Sequence, residues 1–169
     1  NKLDAEKIID SKLISPGFRI IGVSQRLFQT ELIEPENLIF VSDDLSIFQY
    51  TEGEDVTIVC FNFSFPNGYE LSQKLKQNNI NSSLFNVNSP TFANWTKIIE
   101  NVKKTKKIII IDDSKSANLN YNSLLSEMCG QIILNKKIIL TKKLSNNWLN
   151  PIDDQMEIDY NSIIETIKK

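Results

Sequence analysis

The run of β-branched and aromatic residues from Asp55 to Phe63 (DVTIVCFNF) constrains the fold of this chain more than any other feature. Apolar and polar residues do not alternate in it, so it predicts a strand that is buried on both faces. Such strands belong to parallel sheets, which helices cover on both sides. A second run of this kind, Ile108–Ile111, occurs further along the chain.

Strand and helix patterns alternate after Gly53. We predict strands at 55–63, 83–87, 108–111 and 138–140. Apolar residues at helical spacing predict the helices that follow them: Leu71 and Leu75; Phe92, Trp95, Ile98, Ile99 and Val102; Leu124, Leu125, Met128 and Ile132; Tyr160, Ile163, Ile164 and Ile167. This order predicts an α/β fold of three layers, α/β/α, around a mostly parallel open sheet.

Local signals suggest where these helices begin and end. Asn67 and Glu70 have the spacing of a capping box, and Ser89-Pro90 is a typical helix entry. Asn135 is a predicted left-handed cap at a helix end, and Asp159 is predicted to cap the last helix.

The first fifty residues are less regular. Asp4–Leu13 reads as a short amphipathic helix and Phe18–Val23 as a strand. Residues 24–50 show no regular pattern, and we interpret them as an irregular connecting segment that lies against another part of the protein. The first residue is Asn1 rather than Met, which leads us to expect a piece of a longer chain.

Composition excludes several classes of function. The net charge of −2 argues against a nucleic-acid binder, because phosphate neutralisation needs clustered Lys and Arg. The chain has no histidine, so Ser-His-Asp and Cys-His mechanisms and most zinc sites are excluded. Cys60 and Cys129 both read as small buried residues without disulfide or metal spacing, which fits the reducing cytoplasm. No apolar stretch is long enough to predict a membrane span.

Two stretches are candidate sites. Asp112-Asp113 follows a predicted parallel strand, where paired acids bind Mg²⁺ or accept a phosphoryl group, although helix capping or solvation is the more ordinary role. Ser64, Asn67 and Gly68 lie at a helix start, where anions bind. Neither stretch predicts a catalytic, cofactor-binding or metal residue. We interpret Phe92 and Trp95 as core residues and Trp148 as a candidate interface residue.

Four segments resemble the C-terminal domain shared by transketolases, deoxyxylulose-phosphate synthases and the E1 β subunits of 2-oxoacid dehydrogenases. They are TEGEDVTIVCFNF, NGYELSQKLKQNNINSSLFNV, SPTFANWTKIIENVKKTKKIIIIDD and NWLNPIDDQMEIDYNSIIETIKK. SPGFRIIGV similarly resembles the end of the family's pyrimidine-binding domain. The chain departs from the family after two strands: Phe61-Asn62 stands where the family has a glycine, and Asp112-Asp113 leads into a loop without glycine.

The resemblance implies three parts: residues 1–30 as the tail of a pyrimidine-binding domain, 31–50 as a connecting segment, and 51–169 as a transketolase C-terminal-like domain. It implies a non-catalytic subunit-interface domain that binds no cofactor itself. Thiamine diphosphate and Mg²⁺ would belong to the full enzyme, whose other domains or α subunit would be its partners in a homodimer or heterotetramer. The alternative is a free-standing flavodoxin-like or receiver-like binding module.

Overall fold

The computed structural model describes residues 1–13, 17, 32–114, 119–142 and 156–168. Six strands form one sheet: β1 (Phe40–Val41), β2 (Ile47–Thr51), β3 (Val56–Phe61), β4 (Ser82–Val87), β5 (Lys107–Asp112) and β6 (Lys136–Thr141). Within these ranges a 3-10 helix (Asn62–Ser64) and five α-helices accompany them: α1 (Lys2–Leu13), α2 (Phe65–Gln77), α3 (Thr96–Thr105), α4 (Asn122–Met128) and α5 (Tyr160–Lys168).

The sheet is mostly parallel, with the strand order β1-β2-β4-β3-β5-β6. β3 lies at its centre and pairs in parallel with β4 on one side and with β5 on the other. β6 extends the parallel part beyond β5. This order confirms the predicted open α/β sheet, and it creates a topological switch point between β3 and β5.

Helices cover both faces of the sheet, as a fully buried central strand requires. One face packs against α2 and α5 through a core that includes Ile58, Leu71 and Ile164. The other face packs against α3 and α4 through a core that includes Val59 and Ile98. The three-layer architecture predicted from the sequence is therefore confirmed.

The prediction that residues 24–50 lack regular structure is wrong for the last part of that segment. β1 and β2 form an antiparallel hairpin, and β2 pairs antiparallel with β4. The strands have only 2 and 5 residues, so neither shows a clear period of its own. A signal was present, because Ser42-Asp43-Asp44 is a turn sequence between two short apolar runs. The structure describes neither Phe18–Val23 nor Trp148.

Three predictions of helix boundaries are also corrected, and a fourth is confirmed. α2 begins at Phe65, so Asn67 lies inside the helix, and α3 begins at Thr96 rather than at Ser89-Pro90. α4 ends at Met128, and Gly130 (φ 77°) rather than Asn135 takes the left-handed conformation. Asp159 does cap α5, since its carboxylate accepts the amide hydrogen of Ser162 at 3.1 Å.

Two burial predictions are wrong as well. Cys129 is exposed because α4 ends just before it. Phe92 is 98% exposed because it lies in the loop before α3, whereas Trp95 at the helix start is buried as predicted. None of the helices in the described ranges is long and apolar enough to cross a bilayer.

Candidate functional site at the switch point

The carboxyl ends of β3 and β5 lie side by side, with Phe61 paired to Asp112. In open α/β sheets this is where ligands bind, because the chains leaving neighbouring strands diverge there and open a crevice. The structure brings three of the five predicted site residues together at this point: Ser64, Asp112 and Asp113. With Asn62 and Asn120 they form what we call the switch-point cluster.

Asp112 is fully buried, and both of its carboxylate oxygens are occupied. Oδ1 accepts hydrogen bonds from Asn62 Nδ2 at 2.7 Å and from the Ser114 amide at 3.0 Å. Oδ2 accepts the Asn120 amide at 3.1 Å. The carboxylate thus ties the loop after β3 to the loop after β5, which is neither the solvated role nor the helix-capping role weighed from the sequence.

Asp113 and Ser64 close the rest of the crevice. Asp113 is 4% exposed, and its Oδ1 accepts the Phe63 amide at 3.1 Å. Ser64 is fully buried, and its hydroxyl accepts the Phe61 amide at 3.0 Å. Its single proton can be donated to Ile111 O at 2.7 Å or to Phe61 O at 2.8 Å. The carboxylates of Asp112 and Asp113 and the Ser64 hydroxyl are thus hydrogen-bonded to backbone and amide groups of the chain itself.

The other two predicted site residues point to different roles. Asn67 is half-buried on α2, and its side chain lies beside the Tyr160 hydroxyl of α5. Gly68 is buried where α2 crosses β3, and a Cβ atom built on it would lie 2.1 Å from Cys60 Sγ. Its lack of a side chain therefore permits the close approach of helix and strand, and the anion-binding role predicted for it has no support in this geometry.

Cys60 is the buried thiol beneath Gly68. Burial raises its pKa to about 12, although hydrogen bonds from Ser64 and the Gly68 amide oppose the shift. A thiol with such a pKa is almost entirely protonated at neutral pH and is a poor nucleophile. Its predicted role as a small core residue is confirmed.

The cluster does not fit a magnesium diphosphate group. Mg²⁺ needs free carboxylate oxygens in an octahedral arrangement, and the Asp112 oxygens are already taken up by three protein donors. No group of three His, Cys, Asp or Glu residues able to hold a metal ion occurs within the described ranges.

A third buried carboxylate, outside the switch-point cluster, was not predicted from the sequence. Asp4 on α1 is 3% exposed and accepts hydrogen bonds from the Tyr50 hydroxyl at 2.7 Å, Asn86 Nδ2 at 2.7 Å and Asn88 Nδ2 at 3.1 Å. Burial raises the pKa of Tyr50 well above its ordinary value, and the Asp4 charge adds to the shift. This network fixes α1 to β2 and β4.

A shallow polar cavity of about 290 Å³ lies at the opposite edge of the sheet. It is lined by the end of β2, the start of β4 and one side of α2, with Tyr50, Ser82 and Lys76 among its residues. Its volume is near the lower end of ligand pockets, which start at roughly 300 Å³. It lies away from the switch point and shares none of the predicted site residues.

Comparison with known proteins places the fold. No family model matches the chain, and no curated protein matches its sequence. A solved structure described as "Split gene transketolase, inactive beta4 tetramer" is similar, with a TM-score of 0.58 and 14% sequence identity. The match covers 82% of this chain but 44% of the solved chain, so this chain spans less than half its length. A likeness at this identity shows a transketolase-like α/β fold.

Proposed function

We propose that this chain is a non-catalytic subunit-interface domain of a thiamine-diphosphate-dependent enzyme, either a transketolase or a 2-oxoacid dehydrogenase β subunit. One observation carries the proposal. The switch point, where a sheet of this kind would bind a ligand, is closed by hydrogen bonds of Asp112, Asp113 and Ser64 within the chain. The similarity to a split transketolase and the four resembling segments support the choice of family in this proposal.

The chemistry of the described residues supports a structural role. The two carboxylates of the switch-point cluster accept backbone and amide donors rather than facing solvent. Cys60 is buried and protonated, and the sequence contains no histidine to act as a general base near neutral pH. Among the described residues at this edge, no set combines an acid, a base and a nucleophile.

In this proposal the cofactor belongs to other domains. Thiamine diphosphate and Mg²⁺ would be bound by pyrimidine- and pyrophosphate-binding domains, which would decarboxylate a 2-oxoacid or transfer a two-carbon ketol unit. This chain would hold those domains in a dimer or heterotetramer. The similar solved chain is described as a tetramer of β chains, which favours an assembling role.

The geometry favours this role over a receiver-like module. A phosphoacceptor carboxylate must be open to an incoming phosphoryl donor, whereas Asp112 is fully buried and Asp113 is 4% exposed. In addition, β3 ends at Phe61 and is followed by Asn62, so the acids that would complete a magnesium site are missing there.

Reconstitution tests the proposal. We would purify this chain and the companion polypeptide of its source cell that carries the thiamine-diphosphate-binding domains, separately and together. Sedimentation velocity should show a complex heavier than either component. Ketol transfer or 2-oxoacid decarboxylation should require the companion and should be absent from this chain alone. Two components that sediment independently, or activity in this chain alone, would contradict the proposal.

A further inference from the structure

Two lysine-rich runs that are distant in sequence meet at one edge of the sheet. We call it the amino edge, because β3, β4, β5 and β6 begin there, while the antiparallel β2 ends there. Lys107 of β5 pairs with Lys136 of β6, and the Asn135 amide donates to Lys106 O at 2.8 Å. The end of α3 and the starts of β5 and β6 thus form a basic half of this edge, with Lys103, Lys104, Lys106, Lys136 and Lys137.

The other half of the amino edge is acidic. Glu52 directly follows β2, Glu54 and Asp55 directly precede β3, and all three are exposed. The segment crosses the start of β4, since a Cβ atom built on Gly53 would lie 2.4 Å from the backbone of Asn81. The strand order β2-β4-β3-β5-β6 therefore sets an acidic half, over β4 and β3, beside a basic half, over β5 and β6.

The charges of the two halves are not neutralised within the described part of the chain. None of the lysines of the basic half and none of the three acids forms an ion pair there. Glu100 lies one turn before Lys103 and Lys104 in α3, and Lys76 lines the polar cavity together with Glu52. Each of these two residues offsets only one charge, so both halves keep an excess of their own sign.

We propose that the amino edge is a weak self-association surface that binds a second copy of this chain. A two-fold axis perpendicular to the sheet, between β3 and β5, sets two amino edges head to head with their strand orders reversed. Lys106 of one copy then faces Asp55 of the other, and Lys137 faces the segment from Glu52 to Glu54. The surface is self-complementary in this arrangement, because each basic half meets an acidic half.

The charge pattern selects both the occupant and its orientation. A two-fold axis within the sheet plane would set β6 against β6 and bring like charges together, which disfavours association. The same chain supplies both the unpaired lysines and the unpaired acids, so a second copy offers the matching surface. The inference uses the charges of this chain alone and is independent of the proposed function.

Sedimentation equilibrium of the purified chain tests the self-association. At low salt the data should fit a monomer–dimer equilibrium with a dissociation constant below about 1 mM, as contacts between exposed charges are weak. Raising the salt to about 1 M, where the Debye length is about 3 Å, should weaken the dimer by about tenfold or more. A chain that stays monomeric at low salt, or a dimer that salt does not weaken, would overturn the proposal.

Charge reversal tests how the halves pair. Lys106→Glu combined with Lys137→Glu should weaken the dimer by about tenfold or more, because acids then face acids. Glu52→Lys combined with Glu54→Lys should do the same. A chain with all four substitutions has the wild-type net charge and complementary halves again, so its dissociation constant should return to within about threefold of the wild type. No recovery in that chain would overturn the head-to-head arrangement.

Asp43→Lys is the matched control. It makes the same charge change as Glu52→Lys on an exposed side chain, but in the turn before β2, at the opposite edge of the sheet. It should leave the dissociation constant within about twofold of the wild type. An effect as large as that of the amino-edge variants would show that net charge governs association, and the proposal would fail. All the substituted side chains are exposed, so every variant should unfold at the wild-type urea concentration.

Discussion

Replacing Gly68 with alanine should destabilise the protein through one identifiable contact. The added Cβ would lie 2.1 Å from Cys60 Sγ, while Leu84 Cδ1 is 3.3 Å away. Overpacking of this kind costs about 1–3 kcal/mol, and alanine's better helix propensity returns about 1 kcal/mol. We therefore expect Gly68→Ala to lower the free energy of unfolding by up to about 2 kcal/mol.

The double variant isolates that contact. Cys60→Ala removes the sulfur atom, so adding Gly68→Ala to it should be neutral or stabilising by about 1 kcal/mol. The coupling energy between the two sites should then be about 1–3 kcal/mol, measured by urea unfolding with tryptophan fluorescence. Gly53→Ala is the control, because its Cβ would meet the backbone of Asn81 at 2.4 Å and Cys60→Ala cannot relieve that clash.

Additivity of the two substitutions within about 0.5 kcal/mol would refute this reasoning. It would mean that α2 does not cross β3 where the structure places it. A Gly68→Ala variant that keeps full stability but loses binding of a phosphate-containing ligand would instead restore the anion-binding role predicted from the sequence.

Three further predictions concern buried polar groups. Asp112→Asn should lower the free energy of unfolding by about 1–3 kcal/mol, because an amide cannot accept all three bonds; an unchanged urea midpoint would contradict this. A thiol reagent at pH 8 should modify exposed Cys129 quickly and Cys60 only on unfolding, and equal rates would refute the burial of Cys60. The folded-state pKa of Tyr50 is raised above its unfolded value, so its contribution to stability is complete below pH 10 and is lost as pH rises further. Tyr50→Phe should therefore flatten the fall in stability above pH 10, and an identical alkaline profile would count against that assignment.

The central strands could be predicted because their sequences leave little choice. The run Val56–Phe61 is apolar at every position except Thr57, whose hydroxyl bonds Asn101 and Thr105 of α3, and it reads as a buried strand without further context. The β1–β2 hairpin could not be predicted from periodicity, since strands of 2 and 5 residues are defined by their pairing with β4 rather than by their own pattern.

The position of the switch-point cluster could be predicted from the sequence, but the hydrogen bonding of its carboxylates could not. The sequence places Asp112 after a parallel strand, which is enough to put it at the carboxyl edge of the sheet. Whether its oxygens are free depends on Asn62, which is 50 residues away in sequence, and on the Asn120 amide, which is 8 residues away; both reach it only in the folded chain. The exposure of Phe92 was not predicted either. Helical spacing places it in a helix, but it cannot show that the helix begins four residues later, at Thr96.

Calorimetric titration of the purified chain with thiamine diphosphate and Mg²⁺ tests the central claim most directly. If the chain's own hydrogen bonds fill the crevice between β3 and β5, no saturable heat should appear, and the companion polypeptide should bind the cofactor under the same conditions. Saturable one-to-one binding at micromolar concentration by this chain alone would contradict the account.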